Sequence, residues 1–107
     1  MTDPIVNLLG LAMRAGKVIT GNDACLSAIR AKKAALAIVA GDTGANARKK
    51  YADKCKYYDV PLIEMMTKVD LGMALGKPHN AVVVVSDPGF ANRIRQMWGE
   101  TNGGEAH

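Results

Sequence analysis

"AVVVVS", Ala81 to Ser86, is the stretch on which the fold turns. Four consecutive valines are β-branched and too short a run for a helix. They show no alternation of apolar and polar residues, so both faces of the strand must be covered. The sequence therefore predicts a central strand with helices packed above and below it.

Working outward, Ser86-Asp87-Pro88 caps a last helix whose apolar side is Phe90, Ile94, Met97 and Trp98. Upstream, Lys68 to Leu75 reads as a short helix stopped by Gly76, preceded by a strand over Leu62 to Met65. A longer helix follows "GDTGAN", with Ala47, Tyr51, Cys55 and Tyr58 as its inward stripe; Asp59-Val60-Pro61 breaks it. "LAIVA", Leu36 to Ala40, has strand length. Asp3-Pro4 opens a first helix with Ile5, Leu8, Leu9 and Ala12 at helical spacing. Lys17 to Thr20 is a short strand, and Asn22 or Asp23 caps a second helix whose Ala24, Ala28, Cys25 and Ile29 face inward. One helix and then four strand–helix pairs imply an α/β fold, a three-layer α/β/α sandwich around a central four-stranded mixed sheet. Residues 1–99 form a single domain, and 100–107 read as a disordered tail.

The composition narrows the function classes. At 107 residues, 49% hydrophobic and 22% charged, the chain has room for one modest core. No apolar run approaches the roughly 20 residues that span a bilayer, and Asp3 and Pro4 stand where a secretory signal needs positive charge. A cytoplasmic monomer without membrane contact is the expectation. Cys25 and Cys55 belong to no C-x-x-C pair, which suggests reduced thiols rather than a metal or disulfide. There is no Ser-His-Asp set, carboxylate pair or histidine cluster, so no enzyme, cofactor or metal site is expected.

Fourteen Lys and Arg against ten Asp and Glu give a net charge of +4. Five of the bases lie between Arg48 and Lys56 beside one acid, Asp53. That balance points weakly to a polyanion. "GDTGANARKK" resembles a phosphate-cradling turn but lacks the Gly-Lys-Ser/Thr of a P-loop. Tyr51, Tyr58, Phe90 and Trp98 suit the core, and no strand carries the exposed aromatic pair of an RRM sheet. Any RNA would be read by shape and base edges. Gly21-Asn22-Asp23, at the start of a helix, is either an ordinary turn and cap or a place to receive phosphates and base edges.

Five segments, in this order and spacing, carry a resemblance: "LLGLAMRAGKVITG" (8–21), "LAIVAGDTG" (36–44), "KKYADKCKYYDVP" (49–61), "TKVDLGMALGK" (67–77) and "AVVVVSDPGFANRI" (81–94). They resemble the ribosomal L-seven-Ae-like kink-turn RNA-binding family, most nearly its small bacterial YlxQ-type branch. The resemblance implies the same α/β/α sandwich, no enzymatic activity, and recognition of kink-turn RNA, a duplex bent at a bulge beside sheared G·A pairs. The expected partner is structured RNA, ribosomal or regulatory, and not DNA.

The resemblance also implies a site. Gly21 would allow close backbone approach, Asn22 and Asp23 would meet base edges, and Lys17, Arg30 and Lys33 would hold phosphates. The archaeal pattern Gly-x-Asn-Glu-x-x-Lys, aligned without a gap, places Asp23, Ala24 and Ser27 on its Asn, Glu and Lys. Shifted by one residue, Asn22-Asp23 take the Asn-Glu places and Leu26 that of the Lys. Either frame lacks a charged base contact. Lys68 is the expected phosphate contact of the Thr-Lys-x-x-Leu-Gly segment. Lys77, His79 and Asn80 should lie beside the flipped bulge nucleotide, and Asp42 and Thr43 should rim the surface. The alternative is a protein-interaction module on the same fold, its RNA surface eroded at Ala24 and Ser27. A nucleotide or small-molecule binder at Gly41 comes third.

Overall fold

Val82–Val85 (β4) lies inside the sheet, as its unbroken apolar run requires. A computed structural model describes residues 4–101. β4 pairs antiparallel with Val18–Thr20 (β1) on one side and with Leu36–Val39 (β2) on the other. Leu62–Glu64 (β3) closes the far edge, parallel to β2, so the order is β1-β4-β2-β3 and the sheet is mixed.

Strand alternation sorts the core into two layers. Leu36, Ile38, Val83 and Val85 face Pro4–Arg14 (α1), Lys68–Leu75 (α4) and Pro88–Thr101 (α5) through Leu9, Leu71 and Ile94. Ala37, Val39, Val82 and Val84 face Asn22–Arg30 (α2) and Ala45–Tyr58 (α3) through Cys25, Ile29, Tyr51 and Cys55. The three-layer α/β/α sandwich and its mixed sheet are borne out. The expected Asp87 cap is present, and the structure adds one at Thr67. Thr67 Oγ1 accepts from the Asp70 N–H at 3.1 Å, and Asp87 Oδ2 accepts from the Phe90 N–H at 3.0 Å.

Three local expectations change. Neither Asn22 nor Asp23 caps α2; Gly21 occupies the cap position, with no side-chain cap hydrogen bond. Ala24 is exposed, so the buried stripe of α2 is Cys25, Ala28 and Ile29. In α3 only Tyr51 and Cys55 are fully buried, while Ala47 and Tyr58 are half-buried. α5 continues to Thr101; the rest of the expected tail, and Asp3, lie outside the described residues.

This topology has one consequence for function. Val39 pairs with Val82 and Glu64, and Thr20 pairs with Val83. The C-terminal ends of β1, β2 and β3 and the start of β4 therefore lie at the same end of the sheet. α2, α3 and α4 follow β1, β2 and β3, so three helix N-termini gather there.

Candidate nucleic-acid interface

That sheet end is built by backbone hydrogen bonds between loops distant in sequence. The Ala40 N–H donates to the Ala81 carbonyl, and the Gly41 N–H to the Met66 carbonyl, both at 2.8 Å. Lys68, the first residue of α4, joins two further loops. Its N–H donates to Asp42 Oδ1 at 2.8 Å, and its carbonyl accepts from the Asn80 N–H at 2.9 Å. The β2–α3 loop and the segment before β4 are thus fixed to one helix start.

Gly72 explains how closely that segment lies. A Cβ there would stand 2.5 Å from the His79 Cα and 2.8 Å from the Lys77 carbonyl oxygen. The Lys77 N–H donates to the Gly72 carbonyl at 2.8 Å. Only a residue without a side chain lets Lys77–Asn80 rest on α4. Lys77 and His79 are exposed there, whereas the Asn80 side chain turns inward to the Val82 carbonyl.

At the start of α2, Gly21 has φ 98, a conformation that side chains disfavour. A Cβ there would meet nothing within 4 Å, so the backbone angle rather than crowding calls for glycine. Asn22, Asp23 and Ser27 are exposed on the helix that follows. Their neighbouring N–H groups are the unsatisfied donors of a helix start. The Asn22 side-chain carbonyl accepts from the Tyr51 hydroxyl of α3, which leaves the amide NH2 without a partner among the described residues. Tyr51 is 1% exposed, and burial, more than the nearby Cys25, Asp23 and Cys55, pushes its phenol up to about 12. Its hydroxyl is a permanent donor at neutral pH.

The structure ties Asp42, Lys68, Lys77, His79 and Asn80 into one cluster, and strand register places Gly21, Asn22 and Asp23 at the same end of the sheet. Thr43 lies among them but is 8% exposed, and its hydroxyl is buried without a partner among the described residues; it cannot rim the surface. Lys17, Arg30 and Lys33 belong to the other end of the sheet. The Lys17 carbonyl accepts from the Ser86 N–H, and Lys33 precedes β2. Arg30 stands about 12 Å along α2 from Asn22. Sequence spacing gave Tyr51 a core role only, since its bond to Asn22 crosses 29 positions. Gly72 stood in a quoted segment, but nothing local marked its contact with His79.

Among the described residues no group of three His, Cys, Asp or Glu is placed to hold a metal, and no helix is long and apolar enough to cross a membrane.

Known proteins share this sequence and arrangement. The profile of the ribosomal protein L7Ae/L30e/S12e/Gadd45 family matches residues 3–94. The chain is 44% identical over 87 residues to the RNA-binding protein YlxQ of Bacillus subtilis (strain 168), covering 81% of this chain and 87% of that one. It is 41% identical over 92 residues to the RNA-binding protein YlxQ of Enterococcus faecium, covering 86% and 88%. A solved structure from Bacillus halodurans, of a protein with unknown function, superposes with a TM-score of 0.87 at 32% identity, covering 90% of this chain and 97% of that one. The chain belongs to the ribosomal protein L7Ae/L30e/S12e/Gadd45 family.

Proposed function

We infer that this protein is a non-enzymatic, cytoplasmic RNA-binding protein that acts as a monomer, recognising and stabilising kink-turn RNA of ribosomal or regulatory origin. The observation that carries the reading is the convergence of three helix N-termini at one sheet end, ringed by Asn22, Asp23, Lys68 and Lys77. Helix N-termini present N–H donors and partial positive charge, which suits phosphate and base-edge acceptors. The relatives named RNA-binding proteins supply independent support.

Mechanistically, the major groove of A-form RNA is too narrow for side chains until a kink opens it. The start of α2 then enters beside the G·A pairs. Asn22 donates its amide to a base-edge acceptor while Tyr51 holds its carbonyl. Asp23 accepts from an exocyclic amino group. Lys68 and Lys77 take phosphates, and the His79 loop borders the bulge. Ala24 and Ser27 offer no charged contact, so specificity rests on Asn22 and Asp23. Because only the bent form presents these groups together, binding shifts the RNA toward the kink.

Fluorescence transfer between labels on the two RNA arms tests this. Added protein should raise the kinked fraction of the RNA, and a titration that leaves the arm distance unchanged refutes the reading. The rival, a protein-interaction module, draws on Leu11, Val69 and Met73, which are more than half exposed on α1 and α4. Partner binding through that apolar face would be insensitive to salt, unlike RNA binding.

A further inference from the structure

Tyr57 is an exposed aromatic with no core role. It is 80% exposed on the outer face of α3, where its ring meets the half-buried Tyr58 edge-on, with centroids 4.8 Å apart. That contact holds the ring in place without covering it. Lys50 and Lys54 precede it at seven- and three-residue steps, on the same helix face. The three residues span about 10 Å along the axis. They line an open groove of about 670 Å³ together with Asn46, Tyr58 and the Lys49–Asp53 ion pair.

The charges of α3 are not all engaged. Arg48 pairs with Glu64 at 3.1 Å and Lys49 with Asp53 at 2.9 Å. Lys50, Lys54 and Lys56 have no acidic partner among the described residues, and the one acid of the helix is already taken. A buried ring links this face to the α2 site. The Lys50 ammonium lies 5.5 Å from the centroid of the Tyr51 ring, and the hydroxyl of that ring holds Asn22.

From these observations we propose that the outer face of α3 is a second RNA surface, which takes a short single-stranded segment flanking the kink. Lys50 and Lys54 hold neighbouring phosphates, and the Tyr57 ring stacks on one base. A cationic groove with an exposed ring is the arrangement that binds single strands without reading their sequence. A duplex would satisfy the lysines but offers no unstacked base to Tyr57. The inference rests on the RNA reading above and extends it to the nucleotides beside the kink.

The test compares the full chain on a blunt kink-turn duplex and on the same duplex carrying an overhang of about four nucleotides on either strand. The overhang on one strand should raise wild-type affinity at least about fivefold, the lower range for one stacked base. It should also steepen the log–log salt slope by about 1.4, for two single-strand phosphates. Lys50→Ala with Lys54→Ala should abolish the added slope. Tyr57→Ala should abolish the affinity gain and Tyr57→Phe should retain it, with blunt binding unchanged throughout. No gain from either overhang, or equal losses on blunt and overhanging RNA, overturns the inference, while discrimination of the blunt kink-turn from a Watson–Crick control leaves the main reading standing. If the wild type fails that discrimination, the main reading falls and the free single strand decides: binding lost in the α3 variants supports the surface, and binding kept overturns it.

Discussion

The Tyr51 hydroxyl of α3 donates to the side-chain carbonyl of Asn22, the first residue of α2. A residue buried between helix and sheet thereby orients an exposed one at the end of the sheet. Asn22 does not cap its own helix, because Gly21 holds the cap position and Asn22 is already the first helical residue; its acceptor oxygen faces α3 instead.

Tyr51→Phe should therefore weaken binding of a kink-turn RNA about two- to tenfold, the worth of one neutral hydrogen bond of 0.5–1.5 kcal/mol. Its salt slope should match wild type, because no phosphate contact changes. Affinities measured at several salt concentrations check both halves, and an unchanged affinity would show that Asn22 needs no support from α3.

Gly72→Ala should damage the site from behind. The new Cβ would collide with backbone atoms of His79 and Lys77, which no rotamer change relieves. Overpacking of this kind costs about 1–3 kcal/mol. A lowered Tm together with weaker RNA binding is the expected result. Wild-type values for both would mean that the Lys77–Asn80 segment moves without consequence.

The basic residues should divide by position. Lys68→Ala and Lys77→Ala should each flatten the salt slope on a short kink-turn by about 0.7–0.9. Lys17→Ala, Arg30→Ala and Lys33→Ala, at the opposite end, should leave it unchanged. A comparable loss from the second group would show that the RNA lies along α2 instead of across the sheet end.

Stability should fall in alkali. Burial pushes the Cys25 and Cys55 thiols from 9.0 up to about 11, and Tyr51 from 10.0 to about 12. Below pH 9 all three are neutral in folded and unfolded chains alike, and their contribution is intact. Above it the unfolded chain loses protons first, so stability declines as the pH rises toward 11–12. Denaturant midpoints at about pH 8 and 10.5 should differ, and the difference should shrink in a Cys25→Ala, Cys55→Ala double variant. Equal midpoints in the wild type would contradict the burial argument.

Much of the fold was legible because short-range patterns report it. The valine run marked the central strand, and Asp87 marked the start of the last helix by its capping chemistry. Strand order was less accessible: β4 pairs antiparallel with both neighbours, a choice made by packing across the whole sheet. At the site, local chemistry suggested Asn22 as a cap and Thr43 as a surface residue, and tertiary contacts overrode both. Asn22 bonds Tyr51, and Thr43 is buried beneath the loop that Asp42 ties to Lys68. The resemblance drew Lys17, Arg30 and Lys33 into the site as basic neighbours, but charge carries no record of the strand direction that separates them.

The central claim is shape-selective recognition, and the most direct measurement is a binding titration against a kink-turn duplex and a control whose G·A pairs are replaced by Watson–Crick pairs, at two salt concentrations. The account predicts tight binding to the kink-turn, much weaker binding to the control, and loss of that difference in Asn22→Ala or Asp23→Ala. Equal, salt-sensitive binding to both duplexes, or none to either, would contradict it.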